Sequence, residues 1–168
     1  RIDFVADLAR NWSTLRRTPA CERRVAIILA NYPNRDGRIG NGVGYDTPAS
    51  TISILEALQD CDYALDDIPA TGNVLIEELQ QGPTNSGANA SKTSPAQLPV
   101  DHYRSAFAQL PEDMQKEITS RWGDPADDPF IVSGAFQLPV ILRGNIAIAI
   151  QPARGYNIDP KETYHDPA

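Results

Sequence analysis

The fold is decided by the stretch Val25-Ala-Ile-Ile-Leu-Ala-Asn-Tyr-Pro-Asn-Arg-Asp-Gly-Arg-Ile-Gly-Asn-Gly-Val-Gly-Tyr-Asp-Thr-Pro48. It opens with six apolar residues and continues into a loop, Asn31 to Asp46, that holds four glycines, two arginines and three asparagines. An unbroken apolar run of this length is typical of a strand buried on both faces, as in a sheet covered by helices. Asp46 or Thr47 can cap a helix that has Pro48 in its first turn. The stretch therefore predicts a strand, a binding loop and a helix.

Amphipathic periodicity predicts helices on both sides of this strand. Thr71 is a candidate cap for one of them, and Gly123 ends another. We expect Met114, Tyr103, Phe107 and Trp122, which belong to the two helices after residue 100, to lie in the core. The predicted helices span Ile2 to Leu15, Pro48 to Gln59, Asn73 to Gln81, Tyr103 to Leu110 and Pro111 to Trp122.

A β-hairpin is predicted in the last third of the chain. Two β-rich runs, Leu138 to Arg143 and Ile146 to Gln151, are joined by Gly144-Asn145, a pair typical of a two-residue hairpin turn. Pro139 restricts the first run to the start of a strand or to a sheet edge. We therefore predict an α/β fold in which helices pack on a small, mixed sheet. That sheet contains the Val25 strand and the C-terminal β-hairpin, and it carries long functional loops.

Length and composition predict one domain over residues 1–168. A chain of 168 residues with 41% hydrophobic content can bury one core. Residues 83–99 are poor in large apolar groups, and we expect them to form a flexible loop. Because the chain starts at Arg1 and has its only methionine at Met114, we expect it to be an internal segment of a longer protein. No apolar run reaches the length of a membrane span and no signal peptide is visible, which predicts a cytoplasmic protein.

Charge and motif spacing exclude several classes of function. A net charge of −7 argues against nucleic-acid binding, because a phosphate backbone is met by an excess of Lys and Arg. The loop glycines do not follow the spacing of a dinucleotide fingerprint or a P-loop. An unrelated phosphate-binding α/β enzyme stays an alternative. No Gly-x-Ser-x-Gly elbow is present, and Cys21 and Cys61 form no zinc or redox motif.

The tail that follows the hairpin holds the densest set of chemical groups. Asp159, Glu162, His165 and Asp166 place three carboxylates and one imidazole within eight residues. Such groups bind divalent metal ions and accept protons. The alternative is a solvated, charged tail without a catalytic role.

Four arginines lie beside loop glycines or asparagines: Arg35, Arg38, Arg143 and Arg154. They are candidates for a local basic patch that binds an anionic ligand in an otherwise acidic protein. The alternative is that each of them pairs with a nearby acidic side chain.

Two long motifs resemble the large subunit of aerobic cobaltochelatase. They are Asn31-Tyr-Pro-Asn-Arg-Asp-Gly-Arg-Ile-Gly-Asn-Gly-Val-Gly-Tyr-Asp-Thr-Pro-Ala-Ser50 and Gln151-Pro-Ala-Arg-Gly-Tyr-Asn-Ile-Asp-Pro-Lys-Glu-Thr-Tyr-His-Asp-Pro167. That family inserts cobalt into a corrin ring during cobalamin synthesis and is related to the H subunit of magnesium chelatase. The similarity spans Arg23 to Pro167, and Asn157-Ile-Asp-Pro160 is more similar to the cobalt branch.

The resemblance implies a fragment of the tetrapyrrole- and metal-binding subunit of an ATP-dependent metal chelatase. The implied substrates are a corrin of the hydrogenobyrinic acid a,c-diamide type and a cobalt ion. The implied partners are the rest of the large subunit and separate AAA+ ATPase and accessory chelatase subunits, which hydrolyse ATP in place of this chain. We expect the isolated fragment to have no chelatase activity. The alternatives are an H-type magnesium chelatase subunit acting on protoporphyrin and a non-catalytic docking module for the ATPase partners.

The resemblance also implies roles for residues of the two motifs. Loop arginines can fork the carboxylates of the ring substrate. Metal insertion also requires the removal of ring N–H protons and the exchange of water ligands of the metal. The implied substrate-binding residues are Asn31, Asn34, Arg35, Arg38, Asp46, Arg154 and Tyr156. The implied catalytic residues are Asp159, Glu162, His165 and Asp166, with His165 and Asp166 also as metal ligands.

Overall fold

The computed structural model describes residues 1–31, 36–86 and 91–152. Within these ranges the chain mixes α-helices with short β-strands, as the sequence predicts. The helices are α1 (Ile2–Arg17), α2 (Thr47–Asp60), α3 (Gly72–Gln81), α4 (Val100–Phe107) and α5 (Glu112–Trp122). The strands are β1 (Val25–Leu29), β2 (Asn41–Gly42), β3 (Tyr45–Asp46), β4 (Gln97–Pro99), β5 (Ile131–Val132), β6 (Ala135–Gln137), β7 (Val140–Arg143) and β8 (Ile146–Ile150).

Three strands form the main sheet in the order β1-β8-β7. β1 runs parallel to β8, in a register that starts with Val25 opposite Ile146 and ends with Leu29 opposite Ile150. β7 and β8 are antiparallel and form the predicted C-terminal hairpin. The small mixed sheet that contains the Val25 strand and this hairpin is therefore confirmed.

The hairpin turn is fixed by contacts to two distant parts of the chain. Gly144 has a φ of 57°, and a Cβ atom there would lie 2.6 Å from the carbonyl oxygen of Ala64, so glycine is required. The backbone N–H of Asn145 donates to that same oxygen (2.8 Å), and its side-chain amide donates to the carbonyl of Cys21 (2.8 Å). Pro139 lies directly before β7, an edge strand, as predicted.

Helices α2 and α3 share one hydrophobic core with the main sheet. Leu55 of α2, Leu75 of α3 and Ile146 and Ile148 of β8 are all 0% exposed. Burying each of these side chains contributes about 1.5–3 kcal/mol. Because β8 alternates buried and half-buried residues, its Ile146, Ile148 and Ile150 side chains point to this one face.

The prediction that the Val25 strand is buried on both faces is wrong for this chain. β1 is an edge strand, and only Leu29 among its five residues is buried. Ile28 is 61% exposed because the described helices cover only the opposite face of the sheet. An apolar run does not by itself show whether helices of the same chain cover one face of a strand or both.

Residues 83–99 depart from the expected flexible loop at both ends of the stretch. Thr84 is 1% exposed, and Gln97–Pro99 form β4 of a second sheet with the order β4-β6-β5. The buried amide of Gln137 explains part of this order, because its Oε1 accepts from the backbone N–H of Ser94 (3.0 Å). Its Nε2 donates to the carbonyl of Ala135 (3.1 Å). The backbone N–H of Ser94 is thus satisfied by a side chain 43 residues away in sequence, which the composition of residues 83–99 does not reveal.

Local capping signals are confirmed at three helix ends. The Asp46 carboxylate accepts from the backbone N–H of Ala49 (3.0 Å) and caps α2. The Thr71 hydroxyl accepts from Val74 (3.3 Å) and caps α3. Gly123, with a φ of 84°, ends α5.

The predicted core position of Met114 is wrong. Met114 is 45% exposed and α5 has no buried residue. Its Ile118 and Trp122 are only partly buried, and they line a cavity together with Phe136 of β6. Helix α1 forms as predicted, yet none of its residues is buried either. No helix in the described ranges is long and apolar enough to cross a membrane.

Candidate functional site

The two motifs begin at the same edge of the main sheet. Because β1 and β8 are parallel neighbours, their carboxyl ends lie side by side. The backbone N–H of Gln151, the first residue of the second motif, donates to the carbonyl of Leu29, two residues before the first motif begins (2.8 Å). The crevice outside the carboxyl ends of parallel strands is the usual ligand site of α/β sheets.

The glycine-rich loop folds back onto the strand from which it starts. The backbone N–H of Gly40 donates to the carbonyl of Ala30 (2.7 Å), and Asn31 forms an isolated antiparallel bridge with Ile39. The loop then closes through the short β2–β3 pair before Asp46 caps α2. The described part of the loop is therefore held to the sheet edge at one end and to a helix N-terminus at the other.

Hydrogen bonds and helix packing connect α3 to the loop. The Gln80 side chain donates to the carbonyl of Asp36 (2.9 Å), and Lys92 donates to the carbonyl of Gln80 (2.8 Å). The start of α3 packs against the start of α2, where a Cβ atom on Gly72 would lie only 2.7 Å from Cβ of Pro48. The position of the loop thus depends on the junction of these two helices.

An open groove of about 550 Å³ runs along the loop. Two of the predicted substrate-binding residues, Arg38 and Asp46, line it together with Tyr45 and Pro48. Arg38 is exposed, and its guanidinium has no hydrogen-bond partner among the described residues. A free guanidinium in a groove can bind a carboxylate in bidentate fashion. Asp46 is already engaged as the cap of α2, so its carboxylate is held in a fixed position.

Asn31 lies at the start of the loop with its side chain buried. It is 3% exposed, and among the described residues neither Nδ2 nor Oδ1 of its amide has a hydrogen-bond partner. Leaving a buried polar group unpaired costs about 1–3 kcal/mol, and such groups are rare in folded proteins. The carboxyl end of β1 therefore carries a buried polar side chain that no described residue satisfies.

A second cavity beside the same edge was missed by the sequence analysis. It has a volume of about 200 Å³, and its lining includes Phe130, Leu138 and Pro152. The Asn85 side chain, also in the lining, donates to the carbonyl of Gln151 (2.8 Å) and so ties residues 83–86 to the origin of the tail. The stretch 83–99 carries no recognisable motif, so no signal in the sequence pointed to Asn85.

Arg143 does not join the candidate site. It lies at the turn end of β7, next to the amino end of β8 and away from the carboxyl ends of β1 and β8. Its guanidinium forms an ion pair with Glu78 and donates to the carbonyl of Asp67 (2.9 Å). For this arginine, pairing with a nearby acidic side chain is the correct alternative.

Three of the predicted site residues can be located: Asn31 and Arg38 within the loop, and Asp46 at its end. The others lie outside the described residues, and their roles stay predictions. They are Asn34, Arg35, Arg154, Tyr156, Asp159, Glu162, His165 and Asp166. Among residues 1–31, 36–86 and 91–152, no three His, Cys, Asp or Glu side chains form a group that could hold a metal ion.

A family model described as CobN/magnesium chelatase matches residues 1–168. The chain belongs to this family. The resemblance of the two motifs to cobaltochelatase is therefore confirmed over the whole chain.

Within the CobN/magnesium chelatase family, the chain is similar to named cobaltochelatase subunits. It is 50% identical over 167 residues to aerobic cobaltochelatase subunit CobN of Sinorhizobium sp., and 48% identical over 168 residues to the subunit of that name from Pseudomonas aeruginosa. These matches cover 99% of this chain, but 13% and 14% of the two relatives. The chain therefore spans about an eighth of the length of these relatives.

A solved structure of the family shows the same fold. The catalytic subunit of cobaltochelatase from Mycobacterium tuberculosis matches with a TM-score of 0.72 and 31% sequence identity. The match covers 91% of this chain and 13% of that subunit. The mixed helical and sheet architecture is thus that of one region of a much longer polypeptide.

Proposed function

We propose that this chain is a segment of the tetrapyrrole- and metal-binding subunit of an ATP-dependent cobaltochelatase. The full-length large subunit is hereafter called the parent subunit. Its substrates are a cobalt ion and a corrin ring of the hydrogenobyrinic acid a,c-diamide type. The observation that carries the proposal is the parallel pairing of β1 with β8, from which the glycine-rich loop and the tail both leave at one edge of the sheet.

This common edge favours a ring site over the docking alternative. A docking module for ATPase partners has no need to bring the two motifs together, whereas a ring site needs contacts from both. The similarity to two CobN subunits at 50% and 48% identity supports cobalt rather than magnesium as the metal. An unrelated phosphate-binding enzyme is disfavoured by the match of the whole chain to the chelatase family.

In this proposal the groove beside the loop binds the periphery of the ring. Arg38 forks a ring carboxylate, while Asn34, Arg35, Arg154 and Tyr156 supply further polar contacts. Asn31 does not line the groove and its amide is buried, so its role in the ring site is to hold the start of the loop through its bridge to Ile39.

The tail carries out the insertion step. The corrin ring loses its inner N–H proton as the divalent cobalt ion enters, because a corrin binds the metal as a monoanion, and this proton must pass to a base. Asp159, Glu162, His165 and Asp166 are the proposed bases, and His165 and Asp166 also replace water ligands of the cobalt ion during its transfer. The chain holds no Walker motif, so we assign ATP hydrolysis to AAA+ partner subunits.

The groove is tested by replacing Arg38 in the parent subunit. A charge-assisted hydrogen bond contributes about 1.5–3 kcal/mol, so Arg38→Gln should weaken corrinoid binding by at least about tenfold. Binding is measured by titrating the corrinoid precursor and following its absorption spectrum. Arg104→Gln is the matched control, because Arg104 is equally exposed but pairs with Asp124 outside the groove (3.4 Å). If both variants bind as the unmodified parent subunit does, Arg38 is not part of a ring site.

A further inference from the structure

Helix α1 has an apolar side that is open to solvent. Ile2, Phe4 and Trp12 are 85%, 70% and 63% exposed, and none of the 16 residues of the helix is buried. On its polar side, Asp7 and Arg10 form an ion pair with each other (2.9 Å). Two charged groups of the helix thus pair with each other, while its apolar groups are left exposed.

The exposed side is a continuous stripe rather than scattered residues. Leu8, Trp12 and Leu15 follow each other at helical spacing, and the two leucines are 46% and 47% exposed. A helix of this length is marginal in water by itself and depends on packing its apolar side against another surface. The stripe therefore needs a permanent cover for α1 to stay helical.

The outer face of the main sheet is a second uncovered apolar surface. Ile28 of β1 is 61% exposed and Leu142 of β7 is 47% exposed. Between them lie Ala147 and Ala149 of β8, which pair with Leu142 and Val140 across the hairpin. The side chains that the three strands place on this face are all apolar, as on a sheet surface that packs against a helix.

We propose that both surfaces are internal interfaces of the parent subunit, covered by other parts of the same polypeptide. The proposal rests on the membership of the chain in a family of much longer subunits and not on ring binding. Each match covers only 13% or 14% of the relative, so most of each relative lies outside the matched region. The rest of the parent subunit is part of the same polypeptide and can supply the apolar side chains that pack on both surfaces.

The chemistry of the two surfaces favours an intramolecular cover over a transient partner. Permanent interfaces resemble a domain core cut in half, whereas surfaces that also exist free in water carry charged and polar groups. Neither the stripe nor the sheet face has a charged residue at its centre. Large contiguous apolar patches are also rare on soluble proteins that work uncovered.

The experiment compares thiol labelling at position 28 in this chain and in the parent subunit. Ile28→Cys is introduced into both, with Cys21→Ser and Cys61→Ser, since both native thiols are exposed. The peptide that holds position 28 is read by mass spectrometry. We expect labelling in the folded parent subunit to be at least about 100-fold slower than in this chain, and to become fast in urea.

A matched pair of variants tests the stripe by comparing the thermal stability of the parent subunit with that of this chain. Trp12→Gln should lower the thermal midpoint of the parent subunit by several degrees and leave this chain unchanged. Asn11→Gln, the neighbouring exposed position with the same new side chain, should change neither.

Three results would overturn the proposal. Equal labelling rates in the two proteins would mean that the sheet face is open in the parent subunit. Protection that depends on protein concentration would identify a second copy as the cover. Protection that appears only after the ATPase subunits are added would identify those partners instead. Unchanged corrinoid binding in Arg38→Gln would count against the ring site but has no bearing on any of these results, so the two proposals fail separately.

Discussion

Replacing Gly72 by alanine should destabilise the chain by forcing apart the starts of α2 and α3. The added Cβ would lie 2.7 Å from Cβ of Pro48, 2.8 Å from its carbonyl carbon and 2.8 Å from the backbone nitrogen of Ala49. None of these atoms belongs to a flexible side chain, so the helices themselves must move. Overpacking of this kind costs about 1–3 kcal/mol.

Part of this cost is offset by helix propensity. Alanine stabilises a helix interior by up to about 1 kcal/mol relative to glycine, and by less at the first helical position, which Gly72 occupies. The net loss should be about 1–2 kcal/mol. For a chain of this size, that lowers the thermal midpoint by about 2–8 °C.

The measurement is thermal and urea unfolding of the 168-residue chain, followed by far-UV circular dichroism. Gly82→Ala, at the other end of α3, is the matched control, because the nearest atom to its added Cβ is the carbonyl oxygen of Leu79 at 3.8 Å. A Gly72→Ala chain as stable as the Gly82→Ala chain would refute the close packing of the two helices. In the parent subunit, Gly72→Ala should also weaken corrinoid binding, because Pro48 lines the groove.

Three further predictions concern single side chains. Asn31→Leu should stabilise this chain by about 1–3 kcal/mol in urea unfolding, because it removes two unpaired buried atoms; a loss of stability would mean that the amide is paired in solution. The pKa of Asp124 lies below its ordinary 3.8, mainly because the backbone N–H of Ala126 donates to the carboxylate, and secondarily because of Arg104. A lowered pKa means that this contribution to stability is present above pH 3.8 and is lost as the pH falls through the lowered value. In an NMR titration, Arg104→Gln should move that pKa only part of the way towards 3.8; a complete return would make Arg104 the main cause. His165→Ala in the parent subunit should lower turnover and leave corrinoid affinity nearly intact, the pattern of a group that acts in the transition state; weaker binding at unchanged turnover would assign it to the ring instead.

The features that sequence alone predicted are those with local causes. Asp46 and Thr71 cap helices through groups three residues away, and Gly123 ends a helix through its own backbone conformation. The hairpin turn was predictable from the adjacent pair Gly144 and Asn145, although contacts to the distant Ala64 and Cys21 also hold it in the folded chain. The groove around Arg38 was predictable because one continuous motif builds most of it.

What sequence could not predict depends on residues far apart in the chain. The parallel pairing of β1 with β8 follows from no periodicity, so strand order had to come from the structure. The order at Ser94 depends on the amide of Gln137, and the Asn85 contact with Gln151 joins residues 66 positions apart. The apolar run of β1 suggested burial on both faces, because composition does not reveal which face of a strand the helices of this chain cover.

The pairing of β1 with β8 also sets the order of events during synthesis of the protein. Its two strands are separated by about 120 residues, and contacts of such long range form late and slowly because the intervening chain must first be closed into a loop. On the ribosome, the glycine-rich motif emerges well before β8 exists. The carboxyl ends of β1 and β8 therefore cannot come together until the hairpin has been translated. Until then the backbone groups of β1 that later bond to β8 are unpaired, and its apolar side chains are exposed.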